Sequence, residues 1–214
     1  MTKEKASNFR EIQAGDISLK TLYRSGHPIY KGGQVKEIVI SANEAKIRTI
    51  INLSDSAASL KPGLLYCPWY KKLYDAKNVV PLDISMNFNI MDTLFLKKIK
   101  RGIKFMLKSG PPYLIHCQIG IDRTGFFAIL LESFMKAGIE EMAKDYMLSY
   151  VNLNEYSEID REIGSEFVIN TLAKISDKHI QPNEDYQGIA WKYLNKKVKL
   201  TENELLELEK KLSG

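Results

Sequence analysis

One ten-residue segment, HCQIGIDRTG at residues 116–125, contains the side chains best suited to chemistry. It places Cys117 six positions before Arg123, with Gly120 between them and Thr124 directly after the arginine. A cysteine thiolate is a strong nucleophile, and a guanidinium is a planar fork that binds two oxygens of a phosphate group. The residue types and their spacing therefore predict attack by Cys117 on a phosphate ester that Arg123 holds in place.

The sequence around this segment predicts how it is positioned. Residues 113–115 form a short apolar run behind two prolines, and residues 126–131 are apolar for more than one helical turn, which predicts a strand, a tight loop and a helix. Ligands bind at the carboxyl ends of strands in open α/β sheets, and the first turn of a helix offers unpaired N–H groups to anions. The other residues of the segment are thus predicted to contact the phosphate group: His116, Gln118, Ile119, Gly120, Ile121 and Gly125.

Three residues of the segment have predicted supporting roles. Gly120 allows the backbone to bend close to the ligand. His116 is expected to orient the loop through hydrogen bonds rather than to transfer protons. Thr124 is expected to donate its hydroxyl to the cysteine sulfur, which would ease the departure of the sulfur from a phospho-cysteine.

Composition limits the classes of protein to which the chain can belong. With 214 residues and 44% hydrophobic content, it has enough apolar side chains for one sizeable core and too few residues for two. Its formal charge of +5 weakly favours anionic substrates, but acidic residues are interleaved with the lysines, which argues against nucleic acid as a partner. The sequence has no spacing typical of zinc ligands, so we expect neither a metal nor another cofactor.

The cysteines and the apolar runs predict the compartment. Cys67 and Cys117 form neither a CxxC pair nor a disulfide framework, so a reducing compartment, the cytoplasm, is the simplest interpretation. The first residues lack an apolar core of signal-peptide type, and no apolar run reaches membrane-spanning length, so no integral membrane association is expected. Cys67 lies in the apolar stretch LLYCPWY and is expected in the core.

Periodicity along the chain predicts an α/β fold, in which a mainly parallel central sheet is flanked by helices and the carboxyl-terminal half is helical. Strands are expected near residues 22–23, 48–55, 78–84 and 113–115. Helices are expected at residues 34–46, 64–77 with an interruption at Pro68, 91–109, 124–137, 139–151, 159–175 and 185–196, and after the capping-box pair Thr201 and Glu204. Residues 1–214 are expected to form one domain, with a flexible tail at 1–10 and a helical extension at 176–214 packed on it.

The segment HCQIGIDRTG matches the HCxxxxxR[ST] signature of the cysteine-dependent protein tyrosine and dual-specificity phosphatase superfamily. Other stretches resemble its bacterial branch of tyrosine and lipid phosphatases with CxxGxDRTG loops: LYRSGHP, RTIINLSD, VVPLDI, DYMLSYVN and WKYLNKKVKLTENELLELEKKL. The resemblance covers most of the chain. It implies the three-layer phosphatase sandwich and a reaction through a phospho-cysteine without metal. Arg24, in the first of these stretches, is expected to pair with a carboxylate.

The family's mechanism requires a carboxylic acid that protonates the departing oxygen. Many relatives place an aspartate on the loop before the long helix, and Asp83 occupies this position, 34 residues before Cys117. Asp83 follows Pro81 by two positions where many relatives have three. In loops of the CxxGxDRT type, the aspartate beside the arginine is the proposed acid, which here is Asp122. Both candidates stay open, and Asp122 is favoured.

The loop also predicts the substrate class. Gln118, Ile119 and Ile121 stand where phosphatases of highly phosphorylated inositides often have lysines, which favours phosphotyrosine or dual-specificity protein substrates. A phosphoinositide or inositol phosphate phosphatase is the alternative. A phosphate-binding pseudophosphatase is a remote alternative, because the set of cysteine, arginine, threonine and aspartate is complete. A rhodanese-like sulfur carrier is disfavoured by the length of the loop together with an available acid.

Overall fold

The computed structural model describes residues 7–30, 34–153, 156–181 and 184–214. In this part of the chain, five strands form one sheet in the order β1-β2-β5-β3-β4. Their bounds are Arg10–Glu11 for β1, Leu22–Ser25 for β2, Thr49–Asn52 for β3, Val79–Pro81 for β4 and Tyr113–His116 for β5. Strands β2, β5, β3 and β4 run parallel, and β1 is antiparallel to β2. The predicted mainly parallel sheet is confirmed.

Helices connect the strands and then form the carboxyl-terminal half. The helices before β5 are α1 (Gln34–Glu44), α2 (Ala57–Leu60), a 3₁₀ helix (Lys61–Tyr66), α3 (Pro68–Asp75) and α4 (Thr93–Ser109). Those after β5 are α5 (Asp122–Phe134), α6 (Ile139–Asn152), α7 (Arg161–Ser176), α8 (Tyr186–Lys192), a π-helical turn (Tyr193–Lys197) and α9 (Glu202–Ser213). The predicted capping box at the start of α9 is present, since Thr201 and Glu204 exchange hydrogen bonds.

Successive side chains of the strands point to opposite faces of the sheet, and both faces are buried. On one face, Ile50 and Leu114 belong to a core that includes residues of α1, α3 and the 3₁₀ helix. On the other face, Ile51 and Ile115 belong to a core that includes residues of α4 and α5. This arrangement gives the predicted three layers, and it explains why the strands are continuous β-branched and apolar runs rather than alternating ones.

The carboxyl-terminal helices share the second core. Leu194, Leu205 and Leu212 are fully buried in the same cluster as Ile115. The backbone N–H of Ser18 donates to the carbonyl oxygen of Leu212 at 2.9 Å, which ties the end of the chain to its beginning. Residues 184–214 thus pack on the second core and on the loop before β2. Among the described residues, no helix combines the length and the apolar character needed to cross a bilayer.

Three local features differ from the sequence expectation. Residues 1–6 of the expected tail lie outside the described residues, whereas residues 7–10 pack on the molecule, with Phe9 buried and Arg10 in β1. Strand β1 has only two residues, too few for a period-2 pattern to be recognised. The predicted interruption of residues 64–77 is present but lies at Cys67, between the 3₁₀ helix that ends at Tyr66 and α3, which Pro68 begins because proline lacks an N–H and suits the first helical turn.

Candidate active site

The predicted catalytic segment lies where three parallel strands end. His116 at the end of β5 and Pro81 at the end of β4 are both in register with Asn52 on β3, which lies between them. Residues 117–121, here named the cysteine loop, connect β5 to α5. Cys117 is 1% exposed at the start of this loop. The predicted order of strand, loop and helix is confirmed, and it places the cysteine at the carboxyl edge of the sheet.

The cysteine loop turns at Gly120, where the backbone φ is +84°. The turn places the Gly120 N–H where it donates to the Cys117 sulfur at 3.3 Å. A methyl group added at Gly120 would lie 2.5 Å from the carbonyl oxygen of Ser25. Both the positive φ and the close approach to β2 therefore require glycine at this position.

A buried arginine from β2 fixes the loop. Arg24 is fully buried, and its Nη2 donates to the carbonyl oxygen of Gly120 at 2.8 Å. Its Nη1 pairs with Asp145 of α6, which also accepts a hydrogen bond of 2.8 Å from Arg10 Nε. Burial opposes ionisation of Asp145, but the two guanidinium groups outweigh it and lower the pKa of this carboxyl. The expected pairing of Arg24 with a carboxylate is confirmed, and its bond to the loop is an additional finding.

The first turn of α5 holds the next three predicted site residues. Arg123 is 7% exposed, and its Nη1 donates to the carbonyl oxygen of Ile84 at 2.9 Å. Neither Arg123 Nε nor the buried hydroxyl of Thr124 has a hydrogen-bond partner among the described residues. The hydrogen bond from Thr124 to the cysteine sulfur therefore stays a prediction. A methyl group added at Gly125 would lie 2.8 Å from the ring of Tyr146, so helix α6 packs directly on this turn.

A chain of hydrogen bonds supports His116 beneath the loop. Its Nε2 lies 2.9 Å from the hydroxyl of Tyr70, which accepts from Asn52 Nδ2 at 3.1 Å. Burial, reinforced by the neighbouring His27, lowers the pKa of His116 well below its usual value, so the ring is neutral. A neutral ring that accepts from Tyr70 at Nε2 carries its proton on Nδ1, which lies 3.4 Å from the carbonyl oxygen of Cys117. This geometry supports the predicted orienting role.

A second histidine, which the sequence analysis did not select, supports the other side of the loop. His27 Nδ1 accepts from the N–H of Ile29 at 3.0 Å, so its Nε2 carries the proton and donates to Asp55 at 2.6 Å. The His27 backbone N–H donates to the carbonyl oxygen of Gln118 at 3.2 Å. Burial opposes ionisation of Asp55, but hydrogen bonds from His27 and Asn52 outweigh it and lower the pKa of Asp55. The signal in the sequence was the stretch SGHP, which begins at the last residue of β2.

The remaining predicted loop residues differ in what they offer a ligand. Gln118 is half-buried, and its carbonyl group is already engaged. Ile119 is 43% exposed, so its side chain faces solvent beside the sulfur-bearing turn. Ile121 is 3% exposed and belongs to the core beneath α5. Only the backbone of Ile121 is thus available to a substrate.

The two candidate acids lie in different surroundings. Asp122 is the first residue of α5, is half-buried, and lines a cavity of about 800 Å³ whose walls include Phe88 and Phe126. Asp83 lies in the turn after β4, at a φ of +53°. Its side chain is 63% exposed, and its carboxylate is 3.6 Å from Lys98 Nζ. The structure thus places Asp122 directly before Arg123 in the first turn of α5 and on the wall of a cavity, and Asp83 at the surface.

The sequence matches the family described as Tyrosine phosphatase family over residues 1–214. The chain therefore belongs to the tyrosine phosphatase family, and it is a phosphatase of the cysteine-dependent kind. Its structure resembles the core catalytic domain of the PP-IP phosphatase SIW14 from S. cerevisiae, solved in complex with citrate, with 16% identity and a TM-score of 0.45 over 79% of this chain and 91% of that one. No curated protein sequence matches the chain.

Proposed function

We propose that this phosphatase hydrolyses phosphomonoesters through a phospho-cysteine formed on Cys117. The observation that carries the proposal is the cysteine loop, in which a buried sulfur accepts the Gly120 N–H at 3.3 Å and Arg123 follows on the first turn of α5. A phosphate group above the sulfur would meet backbone N–H groups and a guanidinium. Both stabilise the charge on the phosphoryl oxygens during transfer.

The reaction has two steps. In the first, the Cys117 thiolate attacks phosphorus, the ester P–O bond breaks, and the departing oxygen takes a proton from the general acid, which we assign to Asp122. In the second, water attacks phosphorus and gives up a proton to the ionised Asp122, the S–P bond breaks, and a hydrogen bond from Thr124 stabilises the departing thiolate. The position of Asp122 supports this assignment, since it is half-buried directly before Arg123 and lines an open cavity. Asp83 is the second candidate, and its exposure beside Lys98 disfavours it.

Phosphotyrosine or dual-specificity protein substrates are the proposed class. The aromatic rings of Phe88 and Phe126 in the cavity next to Asp122 support an aromatic leaving group such as the tyrosine side chain. A phosphoinositide or inositol phosphate is the second candidate. Cationic side chains at the same edge of the sheet favour this substrate class. The free thiols of Cys67 and Cys117 support a reducing compartment, and we infer the cytoplasm.

The test replaces each cysteine in turn. Cys117→Ser should lower kcat by roughly 10⁴-fold, the scale seen when a nucleophile is removed, because a hydroxyl lacks the reactivity of the thiolate. Cys67→Ser is the matched control and should keep the activity of the folded protein, because Cys67 is buried in the core on the opposite face of the sheet. Para-nitrophenyl phosphate and a phosphotyrosine peptide serve as substrates.

Two further measurements sharpen the test. Vanadate or phosphate should still bind to Cys117→Ser, and acid quenching of the parent enzyme should trap one phosphate on the Cys117 peptide. EDTA should leave the rate unchanged, since each step uses only side chains of the chain. Residual activity of Cys117→Ser within tenfold of the parent would contradict the phospho-cysteine mechanism.

A further inference from the structure

Positive charge is concentrated on the surface beside the loop that follows β4. A cavity of about 330 Å³ is lined by Lys97, Lys98 and Arg101 of α4, together with Asp83. A second cavity, of about 620 Å³, shares Lys97 and is lined by four further lysines, which are Lys100, Lys196, Lys197 and Lys199. We name the seven cations of these two cavities the α4 cationic tract.

The tract is a segregated patch rather than part of a mixed surface. The residues that line the two cavities include seven cations and one carboxylate. Their local excess of positive charge is greater than the formal charge of +5 of the whole chain. Among ion pairs between described residues, the pair of Lys98 and Asp83 at 3.6 Å is the one that involves the tract. Unpaired like charges around concave surfaces repel each other and attract anions. The arrangement therefore indicates an anionic ligand.

The sheet register places the first cavity close to the catalytic loop. Pro81, which lines this cavity, and His116, which precedes Cys117, are both partners of Asn52. Two strand spacings of ~4.8 Å each separate the backbones of these two residues by about 10 Å. The first cavity and the cysteine loop therefore lie at strand ends two positions apart in the sheet.

We propose that Lys97, Lys98 and Arg101 bind a second phosphate group of the substrate whose first phosphate is held by the cysteine loop. The inference rests on the phospho-cysteine mechanism proposed above and selects the second of its two candidate substrate classes, namely an inositol polyphosphate, either free or as a lipid headgroup. The cations that the cysteine loop lacks are thus supplied by α4.

The concave shape of the tract favours a small polyphosphorylated ligand over a membrane surface. A concave cavity suits a discrete ligand, whereas a bilayer surface is flat and would leave the cavity floor out of contact. Arg101 supplies a planar fork for phosphate oxygens, and Lys97 and Lys98 supply point charges beside it. The lysines of the second cavity add a longer-range attraction, which speeds capture of a polyanion and weakens with salt.

The first experiment compares two substrates. In Lys97→Ala/Arg101→Ala, the ratio of kcat/KM for inositol hexakisphosphate to that for para-nitrophenyl phosphate should fall about tenfold or more, the scale of a charge-assisted hydrogen bond. Lys108→Ala removes an exposed lysine from the last turn of the same helix and should leave the ratio within about twofold. An equal loss in the Lys108→Ala control, or an unchanged ratio in the double variant, would overturn the proposal.

The second experiment separates binding from turnover. Titration calorimetry with inositol hexakisphosphate on Cys117→Ser should show binding, and the two tract substitutions should raise its Kd about tenfold or more. If Cys117→Ser does not bind inositol hexakisphosphate, the proposed role of the tract is wrong, even where other results support the phospho-cysteine mechanism. Weakened binding in the tract variant supports the tract even where Cys117→Ser proves active.

Further substrates identify the source of the phosphate. One further substrate is phosphatidylinositol 4,5-bisphosphate in phosphatidylcholine vesicles. If the parent enzyme releases phosphate from these vesicles and Lys97→Ala/Arg101→Ala does not, the ligand is a lipid headgroup. A loss confined to soluble inositol hexakisphosphate identifies a free ligand. A loss confined to a phosphotyrosine peptide with acidic neighbours overturns the small-molecule assignment.

Discussion

The loops that follow β5 and β4 lie at the same edge of the sheet and are built in opposite ways. The cysteine loop has five residues between β5 and α5, and three of them, Cys117, Gly120 and Ile121, are buried. The loop after β4, residues 82–92, exposes most of its side chains, including Asp83 and Met86. The first loop is part of the core, and the second is part of the surface.

The hydrogen bonds of the two loops differ in the same way. The cysteine loop is held in its middle, at Gly120, by the buried guanidinium of Arg24. The loop after β4 is held near its ends, where Ile84 N–H donates to Leu53 O at 2.8 Å and the Tyr193 hydroxyl donates to Ile90 O at 2.6 Å. We therefore expect the core to fix where a phosphate binds and the more exposed loop to contact the rest of the substrate.

Adding a methyl group to the core-anchored loop should have the largest effect. In Gly120→Ala the new methyl would meet the Ser25 carbonyl oxygen, so the loop must shift, and kcat/KM should fall roughly 10²-fold or more on every substrate. Gly110→Ala is the matched control, because Gly110 also has a positive φ, of +79°, but nothing within 4 Å of the added methyl.

Gly110→Ala should lose roughly 1–3 kcal/mol of unfolding free energy, because ψ is 164° at this position, and should keep its activity when folded. Kinetics and chemical denaturation of both variants make the comparison. Equal kinetic losses in the two variants would mean that the close approach to β2 has no catalytic importance.

The two candidate acids test which loop takes part in the chemistry. Asp122→Asn should lose roughly 10²-fold on serine or inositol phosphates, whose departing oxygens are basic, and much less on para-nitrophenyl phosphate. Asp83→Asn should affect both kinds of substrate equally or not at all. The measurement is kcat/KM across a series of leaving groups, with vanadate affinity as a check that the cysteine loop is intact.

A reversed result would assign the acid to the exposed loop. In that case Asp83→Asn would show the leaving-group dependence, and Asp122→Asn would show only weaker vanadate binding.

His116, which directly precedes the cysteine loop, should make the stability of the protein respond to acid, and this is the smallest of the expected effects. Because burial lowers the pKa of His116, the unfolded chain binds a proton below about pH 6.5 that the folded chain does not bind. The unfolding free energy should then be highest above this pH and should fall as pH drops below it, by at most about 1.4 kcal/mol per pH unit. Denaturation between pH 7.5 and 5 measures this slope, which His116→Gln should reduce.

His179 is exposed, so His179→Gln should keep the slope of the parent protein. A parent stability that is flat across this range would contradict the neutral state of His116.

Local sequence pattern predicted the parts of the site that are local in the chain. The strand, loop and helix around Cys117 follow from apolar runs next to each other, and the capping box at Thr201 follows from spacing alone. The bond from Arg24 to Gly120 joins residues 96 positions apart, and no single-sequence pattern reports such a pair. The α4 cationic tract was missed for the same reason, because packing brings residues 196–199 to α4.

The anchoring of Gly120 has a consequence for folding. Arg24 reaches across 96 positions to Gly120 and across 121 positions to Asp145, so three distant parts of the chain must meet before the cysteine loop is held. Contacts of such high sequence separation form slowly, because the closure of long loops precedes any gain from them. A chain with its helices formed but α6 not yet docked would contain every catalytic residue and still lack a phosphate site. During refolding, the recovery of enzyme activity thus marks the completion of tertiary structure rather than the formation of helices.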